Sequence, residues 1–371
     1  MKKILNIALA SALACSVVAA KEISVGAIMP MSGPLAAYGQ VTNLGVELAH
    51  KQQPTLKNGD TIKLVLLDNK GDKVETATAT TRLISSDKVV AILGALTSTN
   101  TAQTIAIADK KKIPVIASVA TNDKLTAKRE FANRVCFTDS FQGEVVANFA
   151  KQQGYKTAVV IVDQAQVYSL GLSKAFEMAF KKNGGKIVKK IKVTSGDKDF
   201  KAVVSQIKET NPDFMFLPLY HPEASMIARQ SKQLGLDKPM FSGDGVANQT
   251  FIDLGGDSVN GYMFTDFFDY TNPPSQTSAD FVAFHEKETG NKEMNSFTAL
   301  GADTYNVLID AMNRCEDPSD SVCINKELKK TSDFDGVSGK ISIDSEGNAT
   351  RSAVIKEIKD GKAVFKATVN P

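Results

Sequence analysis

The chain contains no tryptophan and only three histidines in 371 residues, and Lys plus Arg (44) nearly balance Asp plus Glu (41). Leaving out Lys2 and Lys3 of the leader lowers the formal charge from +3 to +1, so no basic face is available for nucleic acid. His50, His221 and His285 fall at no metal-ligand spacing. No cofactor or metal is expected. The chain has no Gly-x-Ser-x-Gly elbow and no His-Glu-x-x-His, which argues against an exported hydrolase, and His221 and His285 read as surface residues. Beyond the N-terminus no run is apolar enough to cross a bilayer.

Cysteine is scarce as well. Cys15 sits in the leader, where Lys2 and Lys3 precede an apolar run from Ile4 to Ala14, and Ala20 ends a cleavage-like Val18-Ala19-Ala20. This pattern predicts a signal peptide over 1–20 and a periplasmic protein. Anchoring through Cys15 as a lipoprotein is the weaker reading, because the leucine of Ala12-Leu13-Ala14 stands one place late. Cys315 and Cys323 flank the polar turn EDPSDSV, which suits a local disulfide in an oxidising compartment. Cys136, between Val135 and Phe137, reads as a buried structural thiol.

What the sequence does have is alternation. EISVGAIM, TIKLVLLD, VVAILGAL and IPVIASVA read as strands separated by helix-period segments, and TAVVIVD, KIVKKIKV, DFMFLPLY and PMFSGDG repeat the pattern from Gly154. Such alternation implies an α/β fold with two doubly wound, Rossmann-like lobes in series. Asp199 is placed to cap a helix carrying Phe200, Val203, Val204 and Ile207 on one face. The last third has two helical segments and hairpin signals at Gly347 and Asp360-Gly361. It is too small for a third domain, so it is expected to return and complete the first two. The expected division is 21–138 with 268–345 for one lobe and 139–267 with 346–371 for the other, joined by several strands acting as a hinge over a ligand cleft.

Ligands of open α/β sheets sit beyond the carboxyl ends of strands. Thr97-Ser98-Thr99-Asn100-Thr101 occupies such a place before a helix, and Ser118, Thr121 and Asn122 follow the next strand to the same edge. Hydroxyls at a helix N-terminus favour an anion, and without the lysine and glycines of a phosphate loop a carboxylate fits best. The alternative for these residues is simple helix capping.

GAIMPMSGPLAAYGQ, NRVCFTDSFQG, GDKDF, NPDF, LYHPEA and FSGDGVAN, in that order, resemble the type I periplasmic binding proteins for leucine, isoleucine and valine that serve ABC transporters. The resemblance covers essentially the whole mature chain. It implies that Ser98 and Thr121 hold a ligand carboxylate, that the Val119 carbonyl and Asp244 hold its ammonium, and that Tyr38, Tyr168 and Tyr220 wall the pocket. Asp244 replaces the family's glutamate and is one methylene shorter. Thr97 stands where some members have a cystine. The partners implied are an amino acid and an ABC transporter permease, with a chemoreceptor as an alternative recipient and a monomer as the working unit.

Overall fold

The computed structural model describes residues 20–371, so the leader and Cys15 lie outside the described residues. The first lobe is built on β1 (Glu22–Met29), α1 (Ala36–Gln52), β2 (Thr61–Asp68), α2 (Lys73–Ser85), β3 (Ile92–Gly94), α3 (Ser98–Ala108), β4 (Val115–Ala117) and β5 (Ala132–Arg134). Its five parallel strands run in the order β2-β1-β3-β4-β5. The second lobe follows with α4 (Asp139–Gln152), β6 (Thr157–Asp163), α5 (Val167–Lys182), β7 (Lys186–Val193), α6 (Lys201–Thr210), β8 (Phe214–Phe216), α7 (His221–Gln233), β9 (Met240–Ser242), α8 (Gln249–Gly255) and β10 (Met263–Asp266). The chain then returns to the first lobe with α9 (Gln276–Thr289), α10 (Ser296–Asn313), α11 (Ser321–Leu328), β11 (Phe334–Gly336), β12 (Gly339–Ile343) and β13 (Ala349–Thr350). It ends with β14 (Ala353–Lys359) and β15 (Lys362–Val369), which add antiparallel to β10 and complete a seven-stranded sheet, β15-β14-β10-β9-β8-β6-β7.

Side-chain caps define many helix starts: Asp72 accepts from Val74 N and Glu75 N, Thr138 from Phe141 N, and Asn295 from Phe297 N. At α6 the boundary differs from the expected one. Asp199 accepts from Lys201 N at 3.0 Å, but Phe200 occupies the capping position and the helix opens at Lys201. The second lobe's core includes stacked Phe176 and Phe180 with Phe214 and Phe216, all buried; each such side chain contributes about 1.5–3 kcal/mol on leaving water.

Three segments connect the lobes: 135–138, 267–275 and 351–352. Phe137 and Phe267 stack across the first two, with centroids 4.3 Å apart. Arg351, on the third, donates to the carbonyls of Val135 and Phe267 and to Ser338. Cys315 and Cys323 are joined by a disulfide that closes the turn before α11. Cys136 is free and buried, and burial pushes its thiol up to about 12.

Candidate functional site

The order β2-β1-β3-β4-β5 changes direction between β1 and β3, and the second sheet does so between β6 and β8. A topological switch point leaves a crevice at the strand carboxyl ends. The two crevices face each other, and the segments that follow β1, β3, β4, β6, β8 and β9 meet in one cavity. It is lined by Tyr38, Leu96, Thr97, Ser98, Val119, Tyr168, Tyr220, Asp244, Gly245 and Phe297. Tyr38, Ser98, Val119, Tyr168, Tyr220 and Asp244 are thus brought together, while Thr121 lies just beneath the lining, fully buried, with its hydroxyl in no well-formed hydrogen bond.

Glycine is required where β3 ends. Gly94 has φ +123°, and a Cβ there would meet the Ile28 carbonyl oxygen at 2.2 Å. The polar cluster that follows divides its work. Thr97 Oγ1 caps α3 by accepting from Asn100 N at 3.3 Å, and Thr101 Oγ1 accepts from Ala95 N at 3.1 Å. Thr99 Oγ1 accepts from Val167 N and donates to Gln166, binding the first lobe to the second. Ser98 Oγ accepts weakly from Asn122 N at 3.4 Å and faces the cavity at the helix N-terminus. Capping and site formation therefore coexist in one segment, on neighbouring residues.

On the opposite wall, Asp244 is 4% exposed and accepts from Gln142 Nε2 at 2.8 Å. Burial, opposed by the Gln142 hydrogen bond and reinforced by Asp266, raises its carboxyl to about 7. Between the two ends stand the tyrosines. Tyr168 stacks on Tyr220 at 5.1 Å, and Tyr38 meets Tyr220 edge-on at 5.9 Å and Phe297 at 5.5 Å. Tyr38 also spans the cleft, donating to the Gly245 carbonyl and accepting from His221 N. Burial raises all three phenols well above their ordinary value, so they stay neutral donors.

Two sequence expectations are corrected. His221 and His285 are not surface residues: they are 2% and 3% exposed. His221 packs against Tyr38 with ring centroids 4.8 Å apart, and burial lowers its ring to about 4. His285 lies on the inward face of α9, where burial also lowers it. Polar flanking residues, Pro222-Glu223 and Glu286-Lys287, hid this in the sequence. The reading also missed Gln142, Arg134, Asp139 and Phe297, which carry no local motif; in NRVCFTDSFQG, the polar residues of a strand end followed by a capped helix were the available signal.

The periplasmic binding protein family model matches residues 22–363. The chain is 28% identical to the Leu/Ile/Val-binding protein BraC3 of Rhizobium johnstonii, across 94% of each chain. Among solved structures it is similar to the leucine binding protein LivK of Thermotoga maritima, with 37% identity, a TM-score of 0.92, and 94% of this chain and 99% of that one covered. It is also similar to the branched-chain amino acid transporter substrate binding protein LivJ of Streptococcus pneumoniae, solved in complex with isoleucine, with 31% identity, a TM-score of 0.87, and 95% and 100% coverage. With two doubly wound lobes closing on one cavity, the chain belongs to the periplasmic binding protein family and has its type I architecture.

Proposed function

We propose that the protein captures an aliphatic amino acid of the Leu/Ile/Val class between its lobes and delivers it, without chemical change, to an ABC transporter permease. The observation that carries this reading is the polarity of the cavity. At one end are Ser98, Thr121 and the N-terminus of α3, a set of donors suited to a carboxylate. At the other is a single buried acid, Asp244, suited with the Val119 carbonyl to an ammonium. The walls between them are Tyr38, Tyr168, Tyr220, Leu96 and Phe297, which suit an apolar side chain. A zwitterion buried here has both charges paired, and leaving either unpaired costs several kcal/mol. The relatives named for leucine, isoleucine and valine support the same ligand class.

The shorter Asp244 reaches the ammonium with Gln142 bracing its carboxylate from behind. The exported chain acts in the periplasm as a monomer, and the pair of bodies that closes is 21–138 with 268–350 and 139–267 with 351–371, the last boundary following β13 because β13 pairs with β12 in the first lobe. Native mass spectrometry of the purified protein, followed by calorimetry with leucine, isoleucine, valine, alanine and benzoate, tests the proposal. Tight binding of branched amino acids and none of benzoate, which lacks an ammonium, is expected. Binding of benzoate in preference to every amino acid would overturn it.

A further inference from the structure

The donor end of the cavity presents no cation on its surface, yet a buried guanidinium lies behind it. Arg134 ends β5 and is fully buried. Its Nη1 donates to the Ala120 carbonyl at 3.1 Å and its Nη2 to the Asn122 carbonyl at 2.8 Å, while Nε has no partner. These two carbonyls flank Thr121. In a trans peptide the N–H points opposite to the C=O, so the Ala120–Thr121 N–H is aimed away from Arg134, and among the described residues nothing accepts from it. The Thr121 hydroxyl makes no well-formed hydrogen bond, although it lies close enough to the Asp139 carboxyl to favour its ionised form. A chain of polarised groups therefore runs from the guanidinium through the backbone and ends in these two donors.

The charge of Arg134 is unmatched as well. Buried Lys356 pairs with Asp266 and Asp269, and Arg351 is favoured by Asp303. Among the described residues no carboxylate lies within ion-pair distance of Arg134; its polar contacts are the two carbonyls. Asp139, a nearby acid, bonds Asn122 instead, and burial holds its carboxyl well above the usual carboxylate range. An unpaired buried cation is costly, and an anion brought close relieves that cost.

We propose that Arg134 is the counter-charge for the bound carboxylate: a positioning residue that fixes the Thr121 loop through Ala120 and Asn122 and makes the cradle select an anionic carboxylate over a neutral amide. The inference rests on the amino-acid-binding reading above. It extends that reading by adding a residue that never touches the ligand.

The test compares leucine with leucinamide, the latter by displacement at millimolar concentration, in wild type, Arg134→Met and Arg134→Lys, with ligand-free melts of each. In Arg134→Met, leucine affinity is expected to fall about tenfold to hundredfold, the range for losing support to a charged hydrogen bond, and by at least about tenfold more than leucinamide affinity, which loses only the support of the loop. A merely structural role would weaken both ligands equally, and that outcome, or undiminished leucine affinity, overturns the proposal. Should Arg134→Met fail to fold, Arg134→Lys decides. It keeps the charge but not the two-pronged grip, so both affinities should drop with the preference for leucine retained; loss of that preference overturns the proposal. A wild type that binds no amino acid overturns the functional reading itself and is distinguishable from insensitivity to Arg134.

Discussion

Asp244 couples ligand binding to pH. In the closed cleft its carboxyl is raised to about 7 by burial, above the ordinary carboxylate value of about 4. A raised pKa favours the protonated form, so closure itself is most stable at low pH and loses stability as pH rises from about 4 through about 7. An ammonium ligand requires the ionised form. In proportion to the fraction closed before leucine arrives, leucine affinity should therefore fall as pH drops from 8 to 6, and binding near pH 6 should release a proton, detectable by calorimetry in buffers of different ionisation enthalpy. Asp244→Asn should abolish proton release and greatly weaken binding without changing the fold; wild-type affinity in that variant would remove Asp244 from the site. Gln142→Leu removes a donor that lowers the Asp244 carboxyl, so it should move the acidic limb of the affinity profile upward. At the other end, Ser98→Ala and Thr121→Ala should each cost about 1–3 kcal/mol of binding, as for hydrogen bonds to a charged group. If leucinamide matched leucine in the wild type, the carboxylate cradle would be wrong.

At the scale of the element, α1 and α10 pack backbone against backbone. A Cβ on Gly45 would meet the Thr298 carbonyl oxygen at 1.9 Å, and one on Gly301 would meet the Thr42 carbonyl oxygen at 2.1 Å. Backbone meets backbone there, so no side chain can yield. Gly45→Ala and Gly301→Ala should each destabilise by about 1–3 kcal/mol or more, read as a lower urea midpoint, and because α10 carries Phe297 into the cavity they should also loosen ligand binding. This contact was not legible in the sequence, where both glycines sit inside ordinary helical periodicity. The strands were legible to different degrees for a physical reason. β1, β2, β6 and β7 coincide with apolar or β-rich runs flanked by turns. In VVAILGAL, IPVIASVA, DFMFLPLY and PMFSGDG the regular strand is only three residues long, and the residues beyond its carboxyl end, Leu96, Val119, Tyr220 and Asp244, leave the sheet to line the cavity. β5 is Ala132-Asn133-Arg134, which no propensity marks; parallel pairing with β4 imposes it. The site residues named from the family resemblance could be located because each follows a strand end. Arg134 and Gln142 could not, since their roles depend on which backbone and side chain the fold sets beside them.

At the scale of the whole molecule, the structure describes a closed cleft. Tyr38 bridges to Gly245 and His221, Thr99 to Gln166 and Val167, Asn122 to Val167, and Asn295 to Ala247. These contacts are few and polar, whereas the donor end of the site belongs to the first lobe and Asp244 to the second, so neither lobe alone satisfies a zwitterion. Ligand contributes a bridge between the two ends. Open and closed forms should then exchange without ligand, and ligand should shift the population toward closure by its additional contacts in that state. Arg351 grips the carbonyls of Val135 and Phe267 from the third connecting segment and so holds all three segments together at one point, where bending should be centred. Small-angle scattering should give a smaller radius of gyration with saturating leucine than without it. Tyr38→Phe, which removes the hydroxyl shared by Gly245 and His221, should enlarge the ligand-free radius or leave it at the open value while preserving closure by ligand at higher concentration. Asp244→Asn, which keeps the carboxylate cradle, should stay largely open at leucine concentrations that close the wild type. An unchanged radius between saturated wild type and protein verified as ligand-free would reject the two-lobe clamp and favour a rigid pocket that ligand enters without domain motion.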